Sequence, residues 1–85
     1  MNEKEKLNLV CKFYDEDKKK LKERYYVDSD NKKQGLLEVW HRNGQIWIRL
    51  NYKKGILDGR YQWWHDNGEV MYDWVFVNGV PKTGE

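Results

Sequence analysis

The sequence predicts an all-β protein, a single twisted antiparallel sheet of about six strands running as a meander of hairpins. Three observations predict it. Two stretches, VWHRNGQIWIRLNYKKGILDG at 39–59 and WWHDNGEVMYDWVFVNGVPKTG at 63–84, read as near copies of each other. Each carries Asn-Gly between two alternating apolar runs, the strongest short-range hairpin signal. No segment shows the apolar spacing of a helix.

The period is regular. Trp40 recurs at Trp64, His41 at His65, Asn43-Gly44 at Asn67-Gly68, Tyr52 at Phe76 and Gly55 at Gly79, always 24 residues on. Only the last step, Gly59 to Gly84, is one residue longer. A weaker copy lies upstream in VCKFYDEDKKKLKERYYV. It sets Phe13-Tyr14 against Val39-Trp40 and Val27 against Tyr52, but has no Asn-Gly and needs two one-residue insertions. The chain therefore reads as one domain over 1–85, with a degenerate repeat at 7–34 and two full repeats at 35–58 and 59–85. Atypical terminal units are usual in repeat arrays.

A two-residue type I′ turn at Asn43-Gly44 fixes the register of the middle hairpin. It sets Trp40 opposite Trp47, Val39 opposite Ile48, Glu38 opposite Arg49 and Leu37 opposite Leu50, which joins an aromatic pair and an opposite-charge pair. The same turn at Asn67-Gly68 pairs Trp64 with Met71, Trp63 with Tyr72, Gln62 with Asp73 and Tyr61 with Trp74. Alternation then predicts one nearly apolar face of Leu37, Val39, Ile46, Ile48, Leu50, Tyr52, Tyr61, Trp63, Val70, Tyr72, Trp74 and Phe76. The other face is mixed, with Trp40, Trp47, Trp64 and Met71 beside Glu38, Arg49, Gln62 and Asp73. The connectors KKGILDG and VNGVPKTG read as turns, too short for a crossover helix.

The glycine, aromatic and Asn-Gly pattern resembles the MORN repeat variant of bacterial proteins of the YwqK type. It is carried by Gly59, Tyr61, Trp63, Trp64, His65, Asn67, Gly68, Phe76 and Gly79. In the preceding copy it is carried by Gly35, Trp40, Asn43, Gly44, Tyr52, Gly55, Asp58 and Gly59. Thr83 replaces the Asp that precedes the last glycine of the pattern. The resemblance implies a solenoid-like sheet that serves as an interaction scaffold, and it supplies no catalytic motif. YwqK-type proteins often carry an antitoxin label.

Composition narrows the function classes. Aromatic residues make up 15% and charged residues 35%, with mean hydropathy −1.08, which suits a thin structure with much surface. Net charge is +2, and residues 35–85 carry six basic against six acidic side chains. That balance weighs against a polyanion partner and against a basic membrane-binding surface. Lys18-Lys19-Lys20 follows Asp15-Glu16-Asp17 and reads as a solvated turn. Cys11 is the only cysteine, so no intrachain disulfide forms, and its apolar-alternating setting predicts a small buried hydrophobe. The start MNEKEKLNLV has no long apolar run, which predicts no signal peptide or transmembrane helix and a cytoplasmic location.

His41 and His65 occupy equivalent places near the hairpin tips, with no third ligand beside them, so no metal or acid–base site is expected. The glycines match no phosphate-binding motif, and no cofactor or enzymatic role is expected. What remains is a protein-binding module. Its candidate contact residues are Trp40, Trp47, Arg49, Trp64 and Met71, with Trp74 from the apolar face, because Trp and Arg dominate binding energy at interfaces. The strand 70–77 reads as an open C-terminal edge suited to self-association or strand addition. The partner expected is a protein, such as a host enzyme or toxin held by a small inhibitor of phage or bacterial origin. Single-stranded nucleic acid stacking on the aromatic sheet is the alternative.

Overall fold

A computed structural model describes residues 6–82. The chain is all-β. Its strands are β1 (Asn8–Phe13), β2 (Leu21–Val27), β3 (Gly35–Trp40), β4 (Ile46–Lys53), β5 (Ile56–Trp64), β6 (Val70–Val77) and β7 (Val80–Lys82). They form one seven-stranded antiparallel sheet in strict sequence order. The extra strand, β7, comes from the segment read as a turn: Val80, Pro81 and Lys82 pair with Val77, Phe76 and Val75. Thr83 and Gly84, the end of the last repeat, lie outside the described residues.

Away from the tips the register matches the sequence reading. Leu37 faces Leu50, Glu38 faces Arg49 and Val39 faces Ile48. Tyr61 faces Trp74, Gln62 faces Asp73 and Trp63 faces Tyr72. At the tips it differs by one residue. Trp40 faces Ile46 rather than Trp47, and Trp64 faces Val70 rather than Met71.

The cause is the turn type. Gly44 N–H donates to the His41 carbonyl at 2.9 Å and His41 N–H to the Gln45 carbonyl at 2.8 Å, so the loop holds three residues, not two. Gly44 has φ +91°, whereas Asn43 is absent from the positive-φ residues. This is a type I turn closed by a glycine in the left-handed region. Asn43 serves through its side chain, whose Oδ1 accepts the Gln45 N–H at 2.9 Å. The third repeat copies the arrangement at His65, Asn67, Gly68 and Glu69. The longer loop shifts the pairing by one, and a bulge at Trp47 or Met71 restores it. Ile46 and Val70 therefore lie opposite Trp40 and Trp64, not in line with Ile48 and Tyr72.

The true two-residue turns sit at the other end of the sheet. Lys54 and Gly55 have φ +50° and +83°, and Asn78 and Gly79 repeat those values, the signature of type I′. Each is stitched to the connector one repeat back. Gly55 N–H donates to the Lys33 carbonyl and Gly79 N–H to the Leu57 carbonyl, both at 2.8 Å. Lys54 N–H donates to Gln34 Oε1 at 2.7 Å, and Asn78 N–H donates to Asp58 Oδ1 at 3.1 Å. The Asp of the repeat pattern thus ties one hairpin to the next.

The molecule measures 46 × 44 × 15 Å, one sheet thick. Leu37 is the one hydrophobic residue counted as buried among those described. Stability therefore comes from neighbouring side chains covering one another along each face, since no second layer among the described residues supplies a core. Cys11, expected to be buried, is exposed, because among the described residues β1 is an edge strand with no layer above it. No helix among the described residues is long and apolar enough to cross a membrane.

Burial, with the neighbouring Tyr61, raises the Tyr52 phenol above its usual 10.0. A raised folded-state value means the folded chain keeps this proton longer than the unfolded chain. The stabilisation is complete below about pH 10 and is lost as pH rises further. Thermal melts between pH 9 and 12 are expected to show a steeper alkaline loss for the wild type than for Tyr52→Phe.

Candidate functional site

Alternation from the paired row Val39–Ile48–Trp63–Tyr72 defines the aromatic face. Beside it runs the row Leu37–Leu50–Tyr61–Trp74. Five rings close into one cluster there. Tyr61 stacks on Trp74 with centroids 5.7 Å apart and lies 5.0 Å from Phe76 and 6.2 Å from Trp63. Tyr72 stands edge-on to Trp63 and 5.3 Å from Trp74. Such offset and edge contacts suit the ring quadrupoles. Trp63 Nε1 is buried with no acceptor among the described residues. Tyr72 and Trp74 remain 43% and 41% exposed, so the cluster is open to solvent at β6.

The opposite face is organised by charge. Glu38, 7% exposed, takes Arg24 Nη2 at 2.6 Å and Arg49 Nη2 at 3.4 Å. The bond from Glu38 pushes the Arg24 pKa further up, outweighing the small opposing effect of burial. The Arg24 guanidinium also lies 5.3 Å from the Trp40 ring, fixing that indole beside the ion pair. Arg60 and Asp73 form a two-pronged pair on the next strands.

Five of the six contact residues expected from the sequence fall together here. Trp40, Trp47, Trp64 and Met71 occupy four consecutive strands, each one step toward the tips from the row Val39–Ile48–Trp63–Tyr72. Arg49 lies one step from that row on the other side, against Glu38. Trp74 does not join them; it belongs to the aromatic face, opposite Tyr61. The expected Trp40–Trp47 pair is replaced by a His41–Trp47 stack at 4.6 Å and 18°, because the bulge displaces Trp47 from the ladder.

His41 has a structural task. Its Nε2 lies 3.0 Å from the Trp64 carbonyl, so that nitrogen carries the proton. Asn43 Nδ2 donates to the Asp66 carbonyl at 2.9 Å, and together these bonds fasten the second tip to the third. The first and second tips are joined by the Tyr14 hydroxyl donating to the Trp40 carbonyl and by Arg42–Asp15 at 3.6 Å. Between them lies an open depression of about 420 Å3 lined by Trp40, His41, Arg42, Lys19 and Lys20. The lysine run, expected as a solvated turn, is exposed and reaches this rim. Among the described residues no three His, Cys, Asp or Glu side chains gather to hold a metal.

The C-terminal edge also differs from expectation. β7 covers 75–77 and brings Pro81 and Lys82 to the edge, leaving 70–74 paired only with β5 among the described residues. Pro and Lys are residues that blunt strand addition. Reading the sequence alone misses this, because Val80-Pro81-Lys82 is too short and carries a proline.

Comparison with curated proteins returned no match, and comparison with solved structures returned none. The family model of the MORN repeat variant matches residues 33–54 and 57–78, two runs of 22 that cover 44 of the 85 residues. Each run spans one tip hairpin and the connectors that stitch it to its neighbour, so the chain belongs to the MORN repeat variant family.

Proposed function

We propose that this chain is a non-catalytic module that binds a partner protein through the face bearing Trp40, Trp47, Arg49, Trp64 and Met71. One observation carries the reading: four large apolar side chains stand near the tips of four adjacent strands, Trp40 and Trp64 in the ladder and Trp47 and Met71 at the bulges, next to the ordered Arg24–Glu38–Arg49 pairs. Aromatic anchors beside a partly exposed Arg are the composition of binding hot spots. Pinned to a hydrogen-bonded sheet, they lose little conformational freedom on association. MORN repeats are in general binding repeats, which supports the same reading. The partner proposed is an enzyme or toxin that this small protein holds inactive.

Single-stranded nucleic acid is favoured by one feature, the Trp40 depression rimmed by Lys19, Lys20 and Arg42. Affinity capture from a host lysate with and without nuclease separates the two. A stoichiometric protein retained after nuclease supports the module. A catch that disappears with nuclease, and weakens steeply with salt, replaces it with the nucleic-acid reading.

A further inference from the structure

We infer that the depression between the first and second tips is a carboxylate-accepting subsite, into which a partner protein places one acidic side chain. The inference rests on the proposed partner binding and names a chemistry that the partner offers. The depression, about 420 Å3, is lined by Lys19, Lys20 and Arg42 together with Leu21 and Trp40, and no carboxylate lines it among the described residues. Lys19 and Lys20 are exposed and enter no ion pair among the described residues. Arg42 is already positioned. Its guanidinium lies 4.7 Å from the centre of the Tyr14 ring, whose hydroxyl is bonded to the Trp40 carbonyl. A cation oriented in advance loses less freedom when it takes an anion. Asp15 shows the same pairing within the chain, meeting Arg42 Nη1 at 3.6 Å with the two side chains 50% and 65% exposed. Water weakens so exposed a pair, and an incoming carboxylate can take its place.

The charges around the depression favour one acidic side chain over a polyanion. Asp15, Glu16 and Asp17 stand on the first tip, and Asp66 and Glu69 on the third, so carboxylates flank the tip that carries Arg42 on either side. A chain of phosphates laid across the tips runs into these like charges, whereas a single anion seated in the depression meets Lys19, Lys20 and Arg42. Trp40 makes the depression continuous with the proposed contact face, since the same indole lines it and stands beside the Arg24–Glu38 pair. A partner's Asp or Glu entering there sets its carboxylate against the cations and its apolar neighbours against the indole. Charge-assisted hydrogen bonds of this kind strengthen where apolar groups exclude water.

Backbone amide NMR shifts of the full chain test it, with the blocked tripeptide acetyl-Leu-Glu-Leu amide as the probe and its Gln counterpart as the control. The acidic probe is expected to shift the amides of Lys19, Lys20, Arg42 and Asn43 with a Kd of about 1 mM. The Gln probe, and the acidic probe on Lys20→Gln/Arg42→Gln, are expected to bind about fivefold more weakly or worse. Asp15→Asn is expected to bind the acidic probe about two- to threefold more tightly, because Arg42 loses its competing carboxylate. All three substituted side chains are exposed, so the sheet is expected to keep its fold. The inference is overturned by an acidic probe that leaves these amides unmoved up to about 10 mM, by equal binding of the Gln probe, or by weaker binding to Asp15→Asn. A short oligothymidylate that shifts the same amides at least about tenfold more tightly replaces the carboxylate with nucleic acid. Lysate capture separates this inference from the partner reading. Retention lost by Trp64→Ala/Met71→Ala but kept in full by Lys20→Gln/Arg42→Gln overturns the subsite alone.

Discussion

Tyr61→Ala lowers the stability of the sheet by about 2–3 kcal/mol, against less than about 1 kcal/mol for Trp64→Ala. Tyr61 is the hub of the ring cluster, in contact with Trp63, Trp74 and Phe76, and its strand neighbours across are Leu50 and Trp74. Truncating a buried aromatic costs about 3–5 kcal/mol in a closed core, and each aromatic pair adds about 0.5–1.5. Here the ring is only half-buried, which discounts the larger figure. Trp64 has a bigger side chain but enters none of the ring pairs, and its carbonyl bond to His41 survives truncation. In a domain of this size the difference corresponds to a melting temperature roughly 10–20 °C lower for Tyr61→Ala. Equal shifts in the two variants would mean that the ring cluster does not hold the sheet.

Gly59→Ala is the second large effect, about 3 kcal/mol. Gly59 has φ +122°, a conformation strained for any L side chain, at about 1–3 kcal/mol. An added Cβ would also meet Asn51 Cβ at 3.0 Å, close to the backbone of β4, where no flexible side-chain end can give way. The site lies within the irregular pairing between Leu50–Tyr61 and Tyr52–Leu57. Gly44→Ala separates the two causes: its φ is +91° but nothing lies within 4 Å of the new methyl. It is expected to cost about 1 kcal/mol, from strain alone. Chemical denaturation of both variants measures the gap, and equal midpoints would leave the Asn51 contact without consequence.

Much of this was legible in the sequence because a 24-residue period and Asn-Gly steps fix where the chain reverses. The pairs from Leu37–Leu50 to Val39–Ile48 follow from that position alone, since a three-residue turn plus a bulge leaves them in the same register as a two-residue turn. The turn type itself was not legible. Asn-Gly serves both forms, and only the His41–Gly44 and His41–Gln45 bonds distinguish them. For that reason the Trp40–Trp47 and Trp64–Met71 pairs, nearest the tips, were the ones misplaced. Lys54 at positive φ gave no signal, because lysine is not a residue that marks a type I′ turn. The stitches from Gln34 to Lys54 and from Asp58 to Asn78 were hidden for a different reason: they join turns on different hairpins, 20 residues apart. For the candidate site, the period revealed the Trp40, Trp47, Trp64 and Met71 row, while Trp74 parted from it once alternation was followed along β6.

The most direct test of the proposed contact face is quantitative capture with three tagged forms from nuclease-treated host lysate: wild type, Trp64→Ala/Met71→Ala, and Tyr72→Lys/Trp74→Lys. Trp64 and Met71 are chosen because neither enters a ring pair, so both can be truncated with the sheet intact. The wild type and the aromatic-face variant are predicted to retain the same protein at equal stoichiometry, and the Trp64→Ala/Met71→Ala form to lose it at least tenfold. Undiminished retention by the Trp64→Ala/Met71→Ala form, with loss in the other variant, would contradict this and move the binding surface to the aromatic face.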